Sequence, residues 1–105
     1  MRFIETPVFT RIATTVWTDD EYHALQLALI FRPGLGTVIP RSGGLRKMRW
    51  ARQGAGKRGG IRVIYYWHES SETFYMLYAY SKAEQGDLTD RQIRVLSRLI
   101  GETFP

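Results

Sequence analysis

The sequence predicts a small α+β domain: two helices, then an antiparallel β-meander, then a C-terminal helix. Three observations carry this. Thr18-Asp19-Asp20-Glu21 and Thr89-Asp90-Arg91-Gln92 each place a threonine three residues before Glu or Gln, the reciprocal pairing that closes a helix N-terminus. Between them lie two β-rich runs, Ile61–Trp67 and Phe74–Tyr80, joined by the polar turn His68-Glu69-Ser70-Ser71-Glu72. Ahead of these, Gly43–Tyr66 reads as strand, glycine-rich basic loop, strand, and supplies the first meander hairpin.

In order along the chain, Met1–Glu5 alternates apolar and polar residues, with Phe3 turned inward and Ile4 less clearly placed, and reads as an edge or opening strand. Thr6-Pro7 pairs a cap with proline at the first helical position, and the spacing of Val8, Ile12 and Val16 predicts a helix to about Val16. The second helix starts at the Thr18 cap and buries Tyr22, Leu25 and Leu29, with Leu27 and Ala28 near that face. It stops by Arg32, because Pro33 disfavours helical dihedrals just before it. Pro33-Gly34-Leu35-Gly36 is a turn, and Val38-Ile39-Pro40 leads into the hairpin. The two later strands are apolar on both faces, which predicts cover on both sides of the sheet centre. In the last helix Ile93, Leu96, Leu99 and Ile100 face the core, Leu88 staples the first turn, Arg91, Arg94 and Arg98 face solvent, and Gly101 is the expected stop. A chain of 105 residues without linker or repeat is one domain, 1–105.

Composition narrows the function. No 18-residue apolar run is present, and Met1 is followed by no apolar leader with a cleavage site, so neither a membrane span nor secretion is expected. With no cysteine, disulfides and thiolate-bound zinc are excluded, and the expected compartment is the cytoplasm. The net charge of +5 conceals an asymmetry: nine of the fifteen basic residues lie between Tyr22 and His68, where no Asp or Glu occurs. A solvated surface normally mixes both signs, so an acid-free basic middle points to an anionic partner, RNA or DNA.

The hairpin concentrates that charge. Arg46, Lys47 and Arg49 precede the loop, Arg52, Lys57 and Arg58 lie in it, and Arg62 follows it. Alternation puts Lys47 and Arg49 on one strand face with Met48 opposite, and Arg62 opposite Val63. Tyr80 and Lys82 share a face at the end of the last strand, with Glu84 continuing it, so the strand ends converge on one groove. Gly54-Ala55-Gly56-Lys57-Arg58-Gly59 matches G-x-G-x-x-G in letters only, because a β-rich run and not a helix follows it. A P-loop fails too, since Lys57 precedes Arg58 and not Ser or Thr. His23 and His68 have no suitably spaced partner and read as surface residues, so metal and Ser-His-Asp chemistry are not expected.

The run G-G-L-R-K-M-R…G-A-G-K-R-G-G-I-R-V-I-Y-Y, followed by F-Y-M-L-Y-A-Y-S-K-A-E and D-L-T, resembles the HigB-type branch of the RelE-like toxins. The likeness includes D-D-E-Y and P-G-L-G-T-V-I and spans nearly the whole chain. It implies a small RelE-like domain acting as the toxin of a bacterial type II toxin–antitoxin pair. It also implies a ribosome-dependent mRNA endoribonuclease, an mRNA interferase cutting in the A site by metal-independent 2′-OH attack, with no cofactor. Its partners would be the ribosome, mRNA and a cognate antitoxin, a DNA-binding autorepressor.

By motif, Lys47 and Arg49 match the family's paired cations, Arg62 the arginine after the loop, and Lys82 the cation closing the last strand. Tyr80 or Glu84 would assist, while Arg46, Arg52, Lys57 and Arg58 hold RNA or ribosome. In a strongly positive pocket a lysine can serve as base, while arginines stay charged and stabilise the phosphorane. Some relatives carry Tyr or His near the C-terminus, where this chain has Thr103-Phe104-Pro105. Two other classes share the features in part: gyrase-directed toxins of the same fold, which generally lack the cationic set, and noncatalytic RNA-binding modules. For silencing, docking of the antitoxin on another face is favoured over direct cover of the cations, because cover desolvates many charges at once.

Overall fold

The computed structural model describes residues 1–51 and 60–104. Its elements are β1 (Arg2–Glu5), α1 (Pro7–Val16), α2 (Asp19–Phe31), β2 (Thr37–Val38), β3 (Arg46–Trp50), β4 (Ile61–His68), β5 (Thr73–Ser81) and α3 (Asp90–Thr103). This is the expected α+β domain. β3, β4 and β5 form the antiparallel meander, and two short strands extend it into a five-stranded sheet of order β1-β5-β4-β3-β2. β2 joins antiparallel to β3, whereas β1 runs parallel to β5 and makes the sheet mixed.

Threonine caps begin all three helices. Thr6, Thr18 and Thr89 accept from the amides of Phe9, Glu21 and Gln92, and the last two close full capping boxes. Thr6 does more: its hydroxyl donates to the Leu77 carbonyl and its amide to the Met76 carbonyl, fixing the start of α1 against β5.

The sheet has a core on each side. Against α1 and α2 pack Met48, Val63, Tyr65, Phe74, Met76 and Ala79; against α3 pack Leu45, Ile64, Leu77 and Tyr80. The inward face of α1 is rotated from the expected one. Phe9 and Ala13 are buried, Ile12 and Val16 flank them, and Val8 is exposed. The large ring decides the rotation, since Phe9 meets Trp17 and Tyr22 at centroid distances of 6.2 and 5.9 Å. In α2, Leu25 and Leu29 are buried as expected, but Leu27 is turned out with Ile30 and Phe31, leaving an apolar outer patch.

A turn and a bulge set up the site. Gly43 and Gly44 have φ of 74° and 101°, which side chains resist, and they feed Leu45 into the core at the start of β3. In β5 the register steps from Ile64–Tyr78 to Tyr65–Met76, so Leu77 is the extra residue of a bulge. Finally, α3 runs through Gly101 and ends at the cap Phe104. The glycine cost of about 1 kcal/mol is outweighed by anchoring: the Phe104 ring stacks on His68 at 3.9 Å and meets Tyr75 edge-on at 5.2 Å. His68 is therefore half-buried and not a plain surface residue, with Ser71 Oγ 2.6 Å from its Nδ1.

Candidate nucleic-acid site

Register brings the cations together. Arg49 of β3 lies directly opposite Arg62 of β4, and Arg62 directly opposite Tyr80 of β5. Lys47 is paired with Ile64 one step along the strands. Because Met48 and Val63 point into the α1–α2 core, this row occupies the other face of the sheet, the face of Ile64 and Tyr80. On that face α3 starts beside Tyr78, through the linked amides of Gln92 and Gln85, and runs toward His68 and Tyr66. Arg49 and Arg62 sit at the opposite ends of their strands. Two like charges directly opposite across a sheet destabilise the pair. Their juxtaposition makes sense when an anion lies between them.

The approach of Arg49 depends on Gly60. A Cβ at that position would stand 2.6 Å from both Arg49 Cγ and Cδ, so only glycine lets this stem lie over the chain as it enters β4. The buried Tyr80 hydroxyl donates to Asp87 Oδ1 at 3.3 Å. Burial first, then the Asp87 charge and this bond, push the phenol up to about 12, with Arg62 acting in the opposite sense. Tyr80 is thus a hydrogen-bond donor throughout the physiological range.

Asp87 is the residue that sequence reasoning missed. Its Oδ1 also accepts from Lys47 Nζ at 3.2 Å and from the Leu88 amide at 2.8 Å. The Leu88 N–H and then Lys47 hold its carboxyl below the usual carboxylate range. The strongly positive surroundings expected of Lys47 thus include one carboxylate in direct contact with its ammonium. A cleft of about 350 Å³ opens beside this pair, walled by Val38, Ile39, Pro40, Arg41 and Ile93.

Other expected site residues fall elsewhere. Arg46 faces away from Lys47 and Arg49, and its Nη1 donates to the Gly36 carbonyl at 2.7 Å, bracing the turn before β2. β5 ends at Ser81, so Lys82 and Glu84 lie in the following turn instead of continuing the Tyr80 face. Ser81 Oγ donates to Glu84 Oε1 at 2.9 Å, and Glu84 lines a separate cleft with Arg11 and Thr15 of α1. Arg52, Lys57 and Arg58 lie outside the described residues. Among the described residues no group of His, Cys, Asp and Glu is placed to hold a metal ion, and no helix is long and apolar enough to cross a membrane.

Comparison with known proteins agrees with this architecture. The family model for the RelE toxin of the RelE/RelB toxin–antitoxin system matches residues 36–104, from the turn before β2 through α3. Among solved structures, an arginine-to-alanine double mutant of the Escherichia coli toxin RelE in the free state is similar in fold. Its TM-score is 0.60 at 6% identity, over 93% of this chain and 94% of that one.

Proposed function

Because this chain belongs to the RelE toxin family, the toxin side of toxin–antitoxin pairs, we propose that it is a HigB-type mRNA endoribonuclease that cuts in the ribosomal A site. The observation that carries this reading is the row Arg49–Arg62–Tyr80, with Lys47 one step away. Two opposed guanidiniums, with the Lys47 ammonium one step away, form a receptor for a phosphate whose charge grows during reaction.

The reaction is attack of a ribose 2′-oxygen on the adjacent phosphorus. A bond forms between O2′ and phosphorus, the bond to O5′ breaks, the 2′ proton passes to water and O5′ takes a proton from water. Products are a 2′,3′-cyclic phosphate and a 5′-hydroxyl. Arg49 and Arg62 stabilise the pentacoordinate phosphorane, Tyr80 assists by holding Asp87 with its one O–H, and Lys47 and Lys82 hold the strand. Arg52, Lys57 and Arg58 add contacts to RNA or ribosome, and Glu84 assists from the turn it shares with Lys82. With no histidine in the row, positioning by the ribosome supplies much of the rate, and no metal or cofactor takes part.

The antitoxin, in this reading a DNA-binding autorepressor, docks away from the cations. The outer patch of α2, Leu27, Ile30 and Phe31, offers apolar surface on the side remote from the row. The test is primer extension in a purified translation system. Codon-spaced cuts should appear with the wild type and fall on the order of 10²–10³-fold in Arg62→Ala. Equal cutting of ribosome-free RNA, or full activity of Arg62→Ala, refutes the reading.

A further inference from the structure

We propose that Asp87 is a positioning residue for this site, tying Lys47 of β3 to Tyr80 of β5 across Arg62 so that the two remaining N–H donors of the Lys47 ammonium face the phosphate. The inference rests on the endoribonuclease reading and adds a residue to it.

A single oxygen does the work. Asp87 Oδ1 accepts from Lys47 Nζ at 3.2 Å, from Tyr80 Oη at 3.3 Å and from the Leu88 amide at 2.8 Å. Lys47 comes from β3 and Tyr80 from β5, with β4 and its Arg62 between them. No element of the sheet links those two side chains; the carboxylate does. Its own position is fixed from behind. Leu88 is buried against the α3 side of the sheet, Thr89 closes the capping box, and Gln85 Nε2 donates to the Asp87 carbonyl at 2.8 Å.

A carboxylate on a phosphate-binding face repels the substrate, and the exposed Lys47–Asp87 pair gives little stability by itself. Lys47→Ala would therefore cost the fold little, whereas Asp87→Ala also leaves the Tyr80 hydroxyl without its acceptor, a cost that the folded fraction reports. What Asp87 supplies is restraint. A lysine has many rotamers, and holding its ammonium in place removes that freedom before the substrate arrives. Tyr80, directly opposite Arg62 in the register, anchors the carboxylate from β5.

This predicts a split that a merely structural aspartate would not give. Asp87→Ala should lower kcat on the order of 10- to 10²-fold while KM stays level or falls, since a repelling charge is gone. Asp87→Asn, which keeps acceptors for Leu88 and Tyr80 but loses the charge facing Lys47, should fall between. In a Lys47→Ala/Tyr80→Phe background, Asp87→Ala should add nothing. Undiminished kcat in Asp87→Ala, loss that only tracks the folded fraction, or an equal loss in the double-mutant background each overturns the proposal. A readout independent of cleavage separates it from the function above: ¹⁵Nζ-lysine and ¹³Cζ-tyrosine NMR of wild type and Asp87→Asn. Selective shifts at Lys47 and Tyr80 support the grip even if no RNA is cut, and unmoved resonances refute it even if RNA is cut.

Discussion

Replacing Gly60 by alanine separates the placement of a cation from the stability of the fold. The new Cβ would lie 2.6 Å from Arg49 Cγ and Cδ, about 1 Å inside ordinary carbon contact. Nothing at Gly60 forbids an L-residue on backbone grounds, because its φ is outside the left-handed range. The neighbour that must yield is an exposed, flexible stem, so the fold loses only the cost of an altered rotamer, about 0.5–1.5 kcal/mol, and part of this is offset by about 0.4–1 kcal/mol from reduced freedom of the unfolded chain. The guanidinium, however, swings away from Arg62. Gly60→Ala should therefore unfold within a few degrees of wild type and cut mRNA on the order of 10²-fold more slowly, close to Arg49→Ala. The assay is ribosome-dependent cleavage beside thermal unfolding for both variants. Full activity of Gly60→Ala alongside an inactive Arg49→Ala would refute the steric argument, and full activity of both would remove Arg49 from the site.

Three further outcomes follow from the geometry. Tyr80 is raised above its ordinary 10.0 in the folded protein, so the stability it contributes is complete below pH 10 and is lost as pH rises toward about 12; urea midpoints should fall more steeply over that window in wild type than in Tyr80→Phe. Thr89→Ala removes the acceptor for the Gln92 amide at 3.1 Å and should cost about 1 kcal/mol by chemical denaturation, with a parallel loss of cleavage because Asp87 is set by that cap. Phe31→Asp places a charge on a side chain 93% exposed and should leave folding and cleavage intact while weakening the antitoxin complex at least tenfold by calorimetry; undiminished affinity would move the docking surface away from α2.

Local signals were readable in the sequence, and long-range ones were not. Thr18 and Thr89 announced their helices because capping is decided within four residues. The faces of Lys47, Arg49 and Arg62 followed from strict alternation. Glu84 was misplaced by carrying that alternation past Ser81, where the chain turns and Ser81 binds the carboxylate instead. Arg46 was grouped with its neighbours by charge, although alternation sets it on the face of Met48. Gly101 was given the usual role of a helix stop, but a ring three residues later found a stack to hold it. Asp87 stood in plain view in Asp-Leu-Thr, yet its partner Lys47 is 40 residues earlier. Only the sheet and α3 together put them in reach.

The parallel pairing of β1 with β5 governs when this protein comes into being. Arg2 meets Thr73, 71 residues later, so the first strand made has no partner until most of the chain is synthesised. α1 is likewise tied down by the carbonyls of Met76 and Leu77. Contacts closed over such long loops form late. Asp87 and the Thr89 cap emerge later still. The link from Lys47 to Asp87 spans 40 residues, so the last strand and the turn after it must both be made before the cations of β3 are held in place.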